Sequence, residues 1–321
     1  MELMLRAPNL DDDVSAAVAV IHAAVTAMPG TRDWTETDLR AEWAMPGFAL
    51  ADDARLASLP DGTLAGVAWV RHGEPLGRAQ VLGFVHPAFW GQGIGGRLLT
   101  WAQTRAEALR PDTPEGAPLK LVTGCVAEHD RARRLFERNG YRPVRRYLRM
   151  VRELDPYTLP DLPDWPEGFT LRPYFRKIDD RFIYQLLEEA FRTHWGYEPR
   201  SFDQWRARMM RPGAFDPDLW FMAVTLESGG DDIVGVALCR DGLPEDPEIG
   251  WVRALAVLPA FQGRGVGRAL LQYAIGEFHR RGKARVGLTV DAENATGAVR
   301  LYEKLGFQPV VQWIEYEKAL A

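Results

Sequence analysis

Near the start of the chain, Val14, Ala17, Val18, Ile21 and Val25 recur at helical spacing, so one face of a helix is apolar. The same spacing returns at Ile183, Leu186, Leu187, Ala190 and Phe191. Thr35 and Ser201 are each placed to cap a second, short helix. Beyond these the pattern changes to short strand-like runs. Arg55–Leu59 and Leu64–Val70 flank Asp61-Gly62, a hairpin signal, and their counterparts are Leu219–Leu226 and Ile233–Cys239. A further strand, Ala79–His86 in one half and Ile249–Leu258 in the other, runs into a glycine-dense turn and another helix. Strand, helix and two closing strands complete each half. Strands in succession, then strand–helix–strand–helix, predict an α/β fold with a mixed (α+β) sheet, formed twice.

The duplication is visible in the letters. FWGQGIGGRLL (Phe89–Leu99) matches FQGRGVGRALL (Phe261–Leu271), and 265 − 93 gives an offset of 172. LFERNGY (Leu135–Tyr141) matches LYEKLGF (Leu301–Phe307), where 301 − 135 gives 166, so a short insertion or deletion lies between. LMLRAP (Leu3–Pro8) likewise matches FTLRPY (Phe169–Tyr174). Between the halves, ELDPYTLPDLPDWPEG carries prolines at 156, 160, 163 and 166, which resist both helix and central strand and mark a semi-rigid linker. The expected domains are therefore 1–153 and 168–321, joined by a Pro-rich linker over 154–167.

Composition narrows the function. In 321 residues, 46% hydrophobic and 26% charged describe an ordinary globular protein with room for two cores. A formal charge of −5 argues against nucleic acid, whose phosphates attract basic faces. The N-terminus lacks the basic start and apolar core of a signal peptide, and Val14–Met28 is too short to span a bilayer. With two cysteines in non-equivalent apolar runs, Cys125 and Cys239, the expectation is a cytoplasmic protein without disulfide or membrane partner. The histidines form no metal-ligand spacing, and no serine or cysteine nucleophile motif is present.

A glycine-dense turn between strand and helix suits an anion, because amides at a helix start lack intrahelical partners and the helix dipole favours negative charge. Gly263, Gly265 and Gly267 shape the second copy, with Arg264 and Arg268 flanking it. A Walker loop is excluded, since no Lys-Ser/Thr follows the glycines, and a Rossmann turn fits poorly because several strands precede it.

At this point the second half resembles the GNAT superfamily of N-acetyltransferases. Gln262-Gly263-Arg264-Gly265-Val266-Gly267 matches that family's Gln/Arg-x-x-Gly-x-Gly/Ala signature, and LAVLP (Leu255–Pro259) looks like its central strand. VDAENATGAVRLYEKLGF (Val290–Phe307) looks like its second cofactor motif. The first half resembles the family more weakly, so the chain reads as two tandem GNAT-like domains. The resemblance implies acetyl-CoA as co-substrate, its pyrophosphate on Gln262, Gly263, Arg264, Gly265, Val266, Gly267 and Arg268, and its pantetheine along Leu255, Ala256 and Val257, with Asn294 as a further contact. It implies direct attack by an amine of a small molecule or peptide. The Val257 amide would stabilise the acyl oxygen, and Tyr302 would donate a proton to the leaving sulfur. Glu248 is the leading candidate base, although the family's usual position holds Trp251; Asp246, Asp291 and Glu293 compete with it. His194 and Trp195 are candidates for the acceptor site. A monomer or homodimer is expected, and the alternative function is a non-catalytic acyl-CoA sensor or scaffold.

The first copy changes this chemistry. Trp90 stands for Gln262, Gln92 for Arg264, Gly96 for Arg268, Glu128 for Asn294, and Phe136, with no proton to give, for Tyr302. Its glycines read as a retained turn and its domain as degenerate.

Overall fold

The computed structural model describes residues 3–28, 30, 34–45, 47–72, 77–109, 119–197, 199–210, 215–227, 232–243, 246–294 and 296–320. The first half forms β1 (Met4–Arg6), α1 (Val14–Ala27), α2 (Glu36–Trp43), α3 (Leu50–Asp53), β2 (Ala54–Ser58), β3 (Leu64–His72), β4 (Arg78–Val85), α4 (Ile94–Ala108), β5 (Lys120–Val126), α5 (Asp130–Arg138) and β6 (Arg142–Glu153). The second half forms β7 (Phe169–Pro173), α6 (Asp180–Phe191), α7 (Phe202–Met209), β8 (Trp220–Thr225), β9 (Asp232–Arg240), β10 (Ile249–Val257), α8 (Val266–Arg280), β11 (Arg285–Asp291), α9 (Ala298–Lys304) and β12 (Gln308–Ala319).

Local chemistry accounts for the element ends. Thr35 accepts from the Asp38 amide while Asp38 reaches back to Thr35, and Ser201 and Gln204 do the same for α7, two reciprocal caps. At the predicted hairpin Asp61 accepts the Thr63 amide at 2.9 Å, and Gly62 takes φ 86°, a left-handed conformation that favours glycine. The matching LRAP and LRPY segments build the same device twice. Arg6 grips Asp13 with two bonds of 2.6 Å, and Arg172 grips Asp179 with two of 2.8 Å. Each carboxylate also holds a loop amide, of Asn9 or of Phe175, which fixes the entry of α1 or α6.

The chain divides into two compact units, Met1–Tyr147 with Val311–Ala321, and Leu148–Val310. In unit 1, β1, β2, β3 and β4 pair antiparallel in order, β4 pairs parallel with β5, and β5 pairs antiparallel with β12. In unit 2, β7, β8, β9 and β10 pair antiparallel, β10 pairs parallel with β11, and β6 lies beside β11. Both sheets are mixed, as the order of elements predicts. The boundaries differ from the expected 153/154 and 167/168: the units part inside the closing strands β6 and β12, and the end of the chain belongs to unit 1. The two closing strands carry similar alternation, and alternation fixes which face a residue takes without fixing which strand it pairs.

The sheet of unit 2 is covered on both faces. Ile183, Leu187, Trp205 and Met209 from α6 and α7 pack with Met222, Val236 and Ala256 on one side. Leu270, Ala274, Phe278 and Tyr302 from α8 and α9 pack with Val252, Val286, Leu288 and Val290 on the other. Cys125 and Cys239 are buried free thiols, each pushed up by desolvation, Cys125 to about 12.

Candidate active site

The site is built around the end of β10. The β9–β10 ladder shifts register between Val252 and Ala254, which leaves Arg253 as an extra residue. Residues two apart on a regular strand share a face. Here Val252 packs under α8, whereas Ala254 and Ala256 pack on the α6/α7 side, so the extra residue exchanges the faces. The parallel β10–β11 ladder runs only from Ile249↔Arg285 to Val252↔Leu288. Past the bulge, Leu255–Val257 and Thr289–Asp291 are no longer paired with each other, and Thr289 is exposed although it lies in the middle of the sheet.

Backbone direction makes that opening useful. The Leu258 amide bonds Val234 O at 2.9 Å, so by antiparallel alternation Leu255 and Val257 turn their amides and carbonyls away from β9, toward the opening. The Val257 carbonyl is taken by the Gln262 side-chain amide at 2.9 Å. Gln262 thereby ties the glycine turn to the end of the strand. Gly263 (φ 76°) and Gly265 (φ 89°) carry the chain through left-handed positions, and Gly265 caps α8. The amides of Val266, Gly267 and Arg268 then open a fifteen-residue helix without intrahelical partners. Gly267 rests its helix turn close to Val257, where an added Cβ would meet Val257 Cγ2 at 3.6 Å.

The two flanking arginines behave differently. Arg264 pairs with Glu227 at 3.1 Å and lies over the Phe169 ring at 4.5 Å, so its charge is already engaged. Arg268 has no ion pair among the described residues and lines a cleft of about 520 Å³ with Arg152, Lys304 and Asp161. Tyr302, on α9, is 8% exposed and belongs to the apolar cluster against which Leu255 and Val257 pack. Burial pushes its hydroxyl up to about 12, so it remains protonated at neutral pH. Asn294 is half-buried, and its side-chain oxygen accepts the Thr296 amide at 2.8 Å, a turn-forming bond.

The carboxylates sort by position. Glu248 is exposed at the start of β10, nine residues before Val257, about 30 Å at ~3.3 Å per residue. Glu248 and Val257 therefore lie at opposite ends of the strand. Asp246 is held by Arg285 at 2.9 and 3.0 Å. Asp291 ends β11 beside the opening. Because Val286, Leu288 and Val290 face α8 and α9, alternation turns Asp291 to the α6/α7 face, opposite Tyr302. His194 and Trp195 lie on the segment following α6, half-buried, with His194 edge-on to Phe191 at 4.9 Å.

Unit 1 keeps the frame, including the parting of its parallel pair: the β4–β5 ladder ends at Gln80↔Val122, and 80 + 172 is 252, where the β10–β11 ladder also ends. Its glycine turn repeats the left-handed Gly91 and Gly93, at 81° and 84°. The Trp90 indole donates to Val85 O at 2.7 Å, the bond that Gln262 makes to Val257, since 85 + 172 is 257. Sequence comparison scores that pair as a loss, whereas the signal lay in the indole N–H, a donor of similar reach. The β3–β4 ladder has no register shift, and Val81, the counterpart of Arg253, is buried at 6% exposure. Phe136 sits among Tyr141 and Tyr316. Arg131 also approaches the turn, its guanidinium 2.9 Å from where a Gly91 Cβ would stand.

Comparison with known proteins follows the same division. The Acetyltransferase (GNAT) family model matches residues 181–307, and an Acetyltransferase (GNAT) domain model matches residues 48–143. A mycothiol acetyltransferase of Geodermatophilus obscurus is 33% identical over 306 residues, covering 93% of this chain and 92% of that protein. The chain belongs to the GNAT acetyltransferase family. A second mycothiol acetyltransferase, from Nocardia farcinica, is 32% identical over 306 residues, covering 94% and 93% of the two chains. Among solved structures, a GCN5-related N-acetyltransferase from Sphaerobacter thermophilus aligns with a TM-score of 0.81 at 33% identity, over 99% of this chain and 95% of that one. A tandem GNAT protein from the clavulanic acid biosynthesis pathway shares the fold, with a TM-score of 0.73 at 17% identity over 99% and 98%. The protein is thus an N-acetyltransferase with tandem GNAT domains, and acetyl-CoA is the co-substrate of GNAT acetyltransferases. Among the described residues no cluster of metal-binding side chains occurs, and no helix is long and apolar enough to cross a membrane.

Proposed function

We propose that unit 2 transfers an acetyl group from acetyl-CoA to the primary amine of a small molecule or peptide, and that unit 1 is not catalytic. The observation that carries this reading is the unpaired edge of Leu255–Val257, which leads into the α8 N-terminus and shares an apolar face with Tyr302. Acetyl-CoA supplies an activated acyl thioester. Around it, the edges of Leu255 and Val257 fit the amide-rich pantetheine arm, and the amides of Gly263–Arg268 fit the pyrophosphate. The Val257 amide stabilises charge developing on the acyl oxygen, and the Tyr302 hydroxyl donates to the departing sulfur.

The amine enters from the α6/α7 face. Asp291 replaces Glu248 as the favoured base, because it lies on that face at the same end of the sheet. His194 and Trp195 follow α6 on the same side and are retained as acceptor-site residues. The relatives named mycothiol acetyltransferase favour a mycothiol-type amine as acceptor. Unit 1 offers Phe136 where a proton donor is needed, and its β4 lacks the bulge that β10 carries. We place the protein in the cytoplasm as a monomer or homodimer, without nucleic-acid or membrane partner; the charge of −5 and the two buried free thiols support this.

The test is calorimetry with acetyl-CoA, followed by release of CoA thiol in the presence of amines. Binding with turnover is expected. Binding without transfer to any amine, mycothiol precursors included, would instead support a sensor, and no binding heat would remove both readings.

A further inference from the structure

Arg253 is the residue that the bulge inserts, and it is not buried among apolar side chains as Val81 is in unit 1. Its two terminal nitrogens donate to the last turn of α7, Nη1 to Met209 O at 2.9 Å and Nη2 to Arg208 O at 3.1 Å. Carbonyls at a helix C-terminus lack intrahelical donors, and the dipole there favours a cation, so a guanidinium suits the position on both counts. A planar fork spans two carbonyls at once, which a single ammonium cannot do.

We infer that Arg253 is a positioning residue for the amine acceptor: it fixes the end of α7 to the strand at the point where the sheet opens. This rests on the transfer reading above. One inserted residue does two things in the fold. It exchanges the faces of β10, which turns Trp251 to the α6/α7 side, where its ring lies across Gly287 and under Arg149 at 5.0 Å. It also carries the side chain that holds α7, whose Trp205 and Met209 pack in the same cluster as Ala256. The distance between the wall of the acceptor side and the thioester-bearing strand is therefore set by the bulge residue itself. The coenzyme contacts proposed above, the Leu255 and Val257 edges and the glycine turn, use groups other than the Arg253 side chain, which is engaged by α7.

The experiment compares wild type with Arg253→Met and Arg253→Lys in the full chain. Hydrogen exchange is followed over 202–210, acetyl-CoA affinity by calorimetry, and transfer with glucosamine, spermidine and alanine amide as amine probes. Expected for Arg253→Met are at least tenfold faster exchange at the end of α7, a five- to tenfold rise in KM for the amine, and acetyl-CoA affinity within twofold of wild type. Arg253→Lys recovers part of both losses. Unchanged exchange at 206–210 overturns the tie. Faster exchange with unchanged amine KM overturns the positioning role, as does a loss confined to acetyl-CoA affinity. If wild type binds acetyl-CoA and transfers to none of the probes or to mycothiol precursors, the transfer reading falls and the positioning role falls with it, while the exchange result still decides the tie. Should Arg253→Met fail to fold, Arg253→Lys carries the same measurements.

Discussion

Replacing Tyr302 by Phe removes one hydroxyl from the site and little else. Among the described residues that hydroxyl has no hydrogen-bond partner, and the ring keeps its packing against Phe307 at 6.1 Å. Stability should therefore change by less than about 1 kcal/mol. The effect on rate depends on whether a phenol held up to about 12 is acidic enough to serve a thiolate. In water a thiol near 8.5 is the stronger acid by about 3.5 pK units, roughly 5 kcal/mol, and transfer would be uphill. Desolvation beside Tyr302 disfavours a thiolate in the same direction as it disfavours the phenolate, which narrows that gap and lets the phenol act as general acid. The expected loss in kcat is about 100- to 1000-fold, with acetyl-CoA affinity unchanged. Single-turnover release of CoA thiol, with calorimetry on the same sample, measures both. A kcat within threefold of wild type would refute the acid role.

Other outcomes follow from neighbouring groups. Asp291→Asn should lower kcat about 100-fold or more with acetyl-CoA affinity unchanged; a kcat within threefold of wild type excludes Asp291 as base. Gln262→Ala frees the Val257 carbonyl and loosens the glycine turn, so acetyl-CoA affinity should fall about tenfold, the equivalent of one lost hydrogen bond of about 1.4 kcal/mol, as calorimetry would register. Asp179→Asn leaves the Arg172 guanidinium, 19% exposed, without its carboxylate, and should cost about 3 kcal/mol in urea unfolding. Alkaline pH tests Tyr141 and Tyr302, both raised to about 12 by burial. Their contribution is intact below pH ~10, where unfolded tyrosine stays neutral, and is lost as pH rises toward about 12, by up to about 3 kcal/mol each. Urea midpoints that do not fall between pH 10 and 12 would contradict this.

The sequence alone determined what is local or repeated. Helical and strand periods placed most elements within one or two residues. Asp61-Gly62 announced its turn, and Thr35 and Ser201 announced their caps. The paired glycine motifs located the junction and the family. Tertiary structure alone decided the rest, because each remaining feature depends on partners far away in the chain. The bulge at Arg253 is a property of the β9–β10 ladder, and nothing in the residue itself shows that it is the extra one. That single insertion settles which face Trp251 takes. Strand direction separated Glu248 from the opening and brought Asp291 to it. The unit to which the chain's last residues belong was likewise hidden, since a two-residue alternation tells a strand which side to bury and leaves its neighbour unspecified.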